Sequence, residues 1–179
     1  MAATLGGTCA CVGRSSLEVA SIDSDGFTEF WRAQRPQLVR ALSFALGDTR
    51  LASEATDEAL VRALERWPKV RELQQPGGWV YRVGYNWATS WRRKLSLRPT
   101  RPAEHLDTAT VDELPDPDLI DQLRQLRPSY RNAVVMRYYL QLTPTEIAAE
   151  LDLPVGTVKS NISRGLAQLR ESRGASHDR

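Results

Sequence analysis

The chain holds only two cysteines, Cys9 and Cys11, and two histidines, His105 and His177, in 179 residues. A disulfide between residues two apart is geometrically awkward, and neither histidine lies near the cysteine pair, so the four regularly spaced ligands of a structural zinc site are missing. No apolar run is long enough to span a membrane. No basic segment followed by an apolar one marks a secretory signal, and "GTCACVG" lacks the apolar stretch that a lipoprotein cysteine requires. A cytoplasmic chain without membrane insertion is expected. There is no nucleophile set beside a base, no Gly-rich phosphate loop and no metal constellation, so the reading is neither an enzyme nor a cofactor carrier.

What is present is charge, unevenly placed. Residues 27–95 carry twelve Lys/Arg against seven Asp/Glu, residues 119–173 carry eight against five, and residues 96–118 between them carry two against six. Two cationic modules joined by an anionic strap point to nucleic-acid contacts at two separate places.

Helical periodicity dominates both modules, and strand-type alternation is missing. Residues 1–25 are small and polar without a period and read as a disordered tail. Phe27, Phe30, Trp31, Leu38, Leu42 and Leu46 form a first helical stripe, kinked at Pro36 and stopped by Gly47. A second helix follows from Arg50 to about Arg66, and Pro68 to Gly78 reads as a loop. In the third helix, "GWVYRVGYNWATSWRRKL", Trp79, Val80, Val83, Trp87 and Trp91 read as the inward stripe. Tyr81, Tyr85 and Arg92 fall opposite, where aromatics interleaved with arginines form stacking surfaces for unpaired bases. Residues 96–117 hold four prolines, no aromatics and no period, and read as a flexible linker. The expected fold is therefore all-α: a helical domain over 26–95, this linker, and a four-helix domain over 118–173, with 174–179 as a frayed tail. No large apolar surface shared by the two domains is evident.

The last two helices of the second domain are the most specific feature. Thr143 before Pro144, with Glu146 three residues on, marks a helix start, and the short helix ends near Leu151. After a tight turn comes "GTVKSNISRGLAQLR", Gly156 to Arg170. At roughly 100° per residue, Val158, Ile162, Leu166 and Leu169 share one side, while Ser160, Ser163 and Arg164 collect opposite with Lys159 at the flank. Two helices with such a turn make a helix-turn-helix whose second member enters the major groove.

Taken in order, "FTEFWRAQRPQLVRALSFALGD", "ASEATDEALVRALERW", "GWVYRVGYNWATSWRRK", the acidic linker and "LRPSYRNAVVMRYYLQLTPTEIAAELDLPVGTVKSNISRGLAQLR" resemble a bacterial RNA polymerase sigma factor. With regions 2 and 4 only, the chain is similar to the extracytoplasmic-function group of the sigma-70 family. The resemblance implies an alternative sigma factor that binds core RNA polymerase through its clamp and flap regions and recognises the minus-35 and minus-10 promoter elements. It implies polymerase contacts at Glu54, Asp57, Glu58 and Arg62. It also implies capture of a flipped base by the loop from Pro68 to Gly78, and strand contacts at Tyr81, Tyr85, Asn86, Arg92 and Arg93. Duplex DNA would be read by Lys159, Ser160, Ser163 and Arg164. An anti-sigma factor is a further partner that the family commonly has. The chain departs from the family's habits at Asp57, where glutamine is common, at Ser90 (aspartate), at Asn161 (arginine) and at Asp152 (glycine).

The competing reading is a helix-turn-helix transcriptional regulator that is not a polymerase subunit. It predicts a receiver or ligand domain ahead of the linker, where this chain has a compact helical unit instead. A protein that only binds an inhibitor or scaffold would keep the helices but not the Tyr81, Tyr85 and Arg164 surfaces.

Overall fold

A computed structural model describes residues 26–96 and 117–176, which form eight helices and no strand. The expected tail over 1–25, the linker apart from its end residues Ser96 and Pro117, and Cys9, Cys11, His105 and His177 lie outside the described residues. Among the described residues no group of three or more His, Cys, Asp or Glu is placed to hold a metal, and no helix is long and apolar enough to cross a membrane.

Helix α1 (Phe27–Leu46) carries Pro36 within it and ends at Gly47, whose φ of 68° is the left-handed conformation that suits a helix stop. Helix α2 (Thr49–Glu65) is capped by Asp48, whose side chain accepts from the Leu51 amide. The segment expected to be a plain loop contains a one-turn helix, α3 (Trp67–Val70). Trp67 and Val70 stand three apart, so both point the same way and both are buried. Trp67 meets Phe27 edge-on at 5.2 Å between ring centroids and Phe30 at 4.9 Å.

Helix α4 (Pro76–Ser96) corrects the sequence reading. Its core face is Val80, Tyr81, Gly84 and Ala88, all buried, whereas Trp91 is 39% exposed and Trp79, Val83 and Trp87 are only partly buried. The buried arc is thus rotated by about a quarter-turn from the tryptophan stripe. The reason is closeness of approach. A Cβ on Gly84 would sit 2.9 Å from Leu42 Cδ1 and 3.0 Å from the Ala55 carbonyl, so α1 and α2 press against a backbone no indole could share. Trp87 and Trp91 stack on each other at the flank, 6.4 Å apart and nearly parallel.

The second group comprises α5 (Pro117–Arg124), α6 (Pro128–Tyr138), α7 (Pro144–Leu151) and α8 (Val155–Ser176), the last running past the expected end at Arg173. Every residue from Arg131 to Met136 is buried. A helix buried all round must have neighbours on several sides, and α6 packs on α7 and α8 and also on α1. The core is therefore continuous between the two groups, contrary to the expectation that they share no large apolar surface. Phe44 of α1 meets Tyr139 edge-on at 5.3 Å.

Candidate nucleic-acid and polymerase interface

Helix α8 divides as its periodicity predicts. Val158 and Ile162 are buried, Lys159, Ser163 and Arg164 are exposed, and Ser160 is half-buried. Gly165 lets α8 lie against α6, since a Cβ there would fall 2.7 Å from Val134 Cγ2. The preceding helix is fixed by a complete capping box. Thr143 Oγ1 accepts from the Glu146 amide at 3.3 Å while Glu146 accepts from the Thr143 amide at 2.7 Å. The Thr143 amide, the Thr143 hydroxyl donating to the same carboxylate oxygen at 2.7 Å, and Gln75 together hold the Glu146 carboxyl below the usual carboxylate range. The turn passes through Asp152 at φ 52°. Asp tolerates this left-handed conformation better than most residues, which accounts for an aspartate where the resembled family favours glycine.

Helix α4 places its expected strand-contacting residues unevenly. Asn86 and Arg93 are exposed. Arg92 instead turns inward, donating to the Leu46 carbonyl at 2.9 Å and reaching Asp48 at 3.4 Å. The end of α1 has no basic residue of its own in its last turn, so cations from elsewhere meet its exposed carbonyls. Tyr81 is not exposed at all: its hydroxyl donates to Asn132 Oδ1 of α6 at 2.5 Å. Burial pushes that hydroxyl well above the ordinary tyrosine range, which keeps it a donor. Tyr85 stacks on Tyr81 at 6.2 Å and is raised by burial as well, with Arg131 and Arg92 opposing. Tyr81 and Tyr85 therefore do not form the open stacking surface expected opposite the tryptophans.

On α2 the four expected polymerase contacts are brought together along the outer side, each in an ion pair. Arg50 pairs with Glu54 at 3.2 Å and Arg62 with Glu58 at 2.8 Å, one turn apart. Asp57 receives a fork from Arg35 of α1 at 2.8 and 3.1 Å. Among them runs a groove of about 450 Å³ lined by Phe27, Trp31, Leu60, Val61 and Leu64 together with the Arg35–Asp57 pair. Trp31 is 44% and Val61 55% exposed. The sequence reading placed Trp31 in the core stripe and passed over Val61. The available signal was Val61 itself, an apolar side chain lying off the Leu60 and Leu64 line.

Residues 118–169, which run from α5 into α8, match the sigma-70 region 4 family. The RNA polymerase sigma-E factor of Streptomyces avermitilis is 34% identical over 150 residues, covering 81% of this chain and 83% of its own. This chain belongs to the extracytoplasmic-function sigma factors of the sigma-70 family. The Bacillus subtilis factor SigW is 23% identical over 86% of this chain and 92% of its own. The fold is shared with the sigma factor RpoE of Bartonella quintana, solved in complex with the anti-sigma factor NepR, at a TM-score of 0.64 and 20% identity over 86% of this chain and 98% of that one. As an extracytoplasmic-function sigma factor, the protein is a polymerase-associated initiation factor and not a standalone helix-turn-helix regulator. Such sigma factors bind core RNA polymerase and promoter DNA.

Proposed function

We propose that this sigma factor works in the cytoplasm through two units, 26–95 and 118–173, joined by residues 96–117. In this reading Lys159, Ser160, Ser163 and Arg164 of α8 read the minus-35 element as duplex. Tyr81, Tyr85, Asn86, Arg92 and Arg93 of α4 hold the unwound strand of the minus-10 element. Glu54, Asp57, Glu58 and Arg62 meet the polymerase clamp, with the Trp31 and Val61 groove beside them as apolar contact area, and the second unit meets the flap. An anti-sigma factor competes for the same surfaces; the complex in which the Bartonella neighbour was solved supports this reading.

The observation that carries the reading is the two-sidedness of α8: Val158 and Ile162 are buried beneath a strip where Lys159, Ser163 and Arg164 stand open. Arg can grip a guanine edge through two donors, whereas Lys on a phosphate adds affinity without sequence preference. Run-off transcription with core polymerase tests the assignment. Arg164→Ala should cost about 1–3 kcal/mol of promoter discrimination with an unchanged melting temperature. Lys159→Ala should weaken all promoters evenly. An Arg164→Ala protein that transcribes every promoter normally overturns the placement.

A further inference from the structure

Three arginines gather where α4, α5 and α6 meet the end of α1, and the acids beside them do not match them. Tyr81, Tyr85 and Arg92 fall at spacings of four and seven along α4 and so share one face. Arg92 donates to the Leu46 carbonyl and Arg124 of α5 to the Gly47 carbonyl, each at 2.9 Å, so their guanidiniums meet at adjacent residues. The third is Arg131 of α6. It is only 8% exposed, and its Nε is buried without a hydrogen bond. The groups whose charge acts on it are Tyr85, Arg92, Tyr81 and Arg124, none of them a carboxylate. Asp48 reaches only Arg92, at 3.4 Å, and Asp121 pairs with Arg124 at 3.0 Å from the solvent side. The deepest of the three cations is the one left unpaired.

A lysine in such a place could shed its proton, but a guanidinium keeps its charge in a protein and needs a counter-charge when buried. We propose that the cluster is an anion site: Arg131, Arg92 and Arg124, with the Tyr85 hydroxyl, hold a small phosphate-class oxyanion, either free phosphate or the phosphate tail of a nucleotide. The chemistry of the donors selects this class. Each guanidinium is a planar fork that grips two oxygens at once, and the three forks come from three helices. A tetrahedral oxyanion offers an oxygen edge to each, whereas a carboxylate offers one edge and chloride none.

Access and size agree with a small ion. The side chains of Arg92 and Arg124 are 40% and 55% exposed, which leaves the outer side of the cluster open to solvent. The inner side is shut by Tyr81, fully buried with its hydroxyl on Asn132. Burial lowers the affinity of Arg131 for its proton, and Arg92 and Arg124 act in the same direction. An anion among the three offsets that repulsion and ties α4 to α5 and α6, so the stability of this sigma factor responds to phosphate-bearing solutes. The site does not depend on the assignment of α4 to DNA, because Arg131 is no part of that set.

The test is thermal unfolding of the full chain in a phosphate-free buffer, with inorganic phosphate titrated in and chloride adjusted to hold ionic strength constant. A ligand of the folded state at about a hundred times its dissociation constant should raise the melting temperature by about 5–10 °C. Equilibrium dialysis against labelled phosphate, the second measurement, should show saturable retention. Arg131→Met keeps an unbranched apolar stem without the charge and should abolish both effects. In the absence of phosphate it should be at least as stable as the unaltered chain, since an unpaired buried charge has been removed. Tyr85→Phe removes only the hydroxyl and should weaken phosphate binding several-fold, a reading that stands even where Arg131→Met fails to fold. Adenosine triphosphate and tripolyphosphate separate the two sources. Tighter binding of the nucleotide assigns the site to a nucleotide, equal binding assigns it to the phosphate group alone, and both bear out the anion site. A shift that chloride reproduces, an Arg131→Met protein that keeps the phosphate response, or a chain that retains no phosphate in dialysis overturns it and leaves Arg131 a packing residue. A marked loss of stability in Arg131→Met without phosphate also overturns it, because Arg131 would then already have its counter-charge within the chain.

Discussion

Single side chains at the contact between the units contribute in opposite senses. Tyr81 and Asn132 form a neutral pair with donor and acceptor both buried. Removing the hydroxyl with Tyr81→Phe leaves the Asn132 oxygen without that donor and should cost about 1–3 kcal/mol in urea unfolding. Glu150 behaves differently despite its ionic partner. Its separation from Arg82 is long, one carboxylate oxygen is buried without a hydrogen bond, and burial raises its carboxyl above the usual range, with Arg82 only partly offsetting. A carboxyl whose proton affinity is higher folded than unfolded costs stability once pH climbs past its folded value and ceases to do so below the unfolded one. Glu150→Gln should thus be neutral or stabilising at pH 7, and the pH dependence of stability should lose that contribution. A clear loss of stability in the Gln variant would mean that the ion pair outweighs its desolvation.

Helices were legible to different degrees, for physical reasons. The start of α7 could be read from Thr143, Pro144 and Glu146 because a capping box depends on residues three apart. The two sides of α8 followed from periodicity alone. In α4 the reading failed because side-chain size was taken as a guide to burial, while the closest helix contact selects the smallest residues. Val80, Gly84 and Ala88 recur every four positions and were the signal for the true core face. The same logic makes Gly165 sensitive. Gly165→Ala would drive a methyl group into the stiff Val134 side chain, costing about 1–3 kcal/mol and shifting α8 off its seat. Promoter binding and melting temperature should fall together, whereas Arg164→Ala lowers only the first. For α7, Thr143→Ala should remove about 1 kcal/mol. Because Glu146 is held low, its stabilising part is present above the ordinary carboxylate value and disappears as pH falls through the lowered folded value. The Thr143→Ala deficit should therefore shrink in acid, and a deficit constant with pH would count against the capping box.

At the scale of the molecule, the arrangement of the two groups was the least legible part, because every contact between them joins residues far apart in sequence across the linker. One clue was present: "RNAVVM" offers α6 no broad polar face, which a helix covered on one side only would have. The consequence is a core running from α1 and α4 through α6 to α8, and cooperativity should follow it. All five tryptophans lie before residue 92, so their fluorescence reports the first group alone, while amide exchange in α7 and α8 reports the second. If the shared core couples the groups, both probes should give one coincident urea transition in the full chain, the ordinary sign of a single folding unit. Arg124→Ala with Asn132→Ala removes the cap on Gly47 and the partner of Tyr81 while leaving the apolar interior of each group in place. That variant should split the transition, with α7 and α8 exchanging at lower denaturant while the tryptophan curve moves little. Two transitions already present in the unaltered chain would mean that the contact between the groups is too weak to couple them.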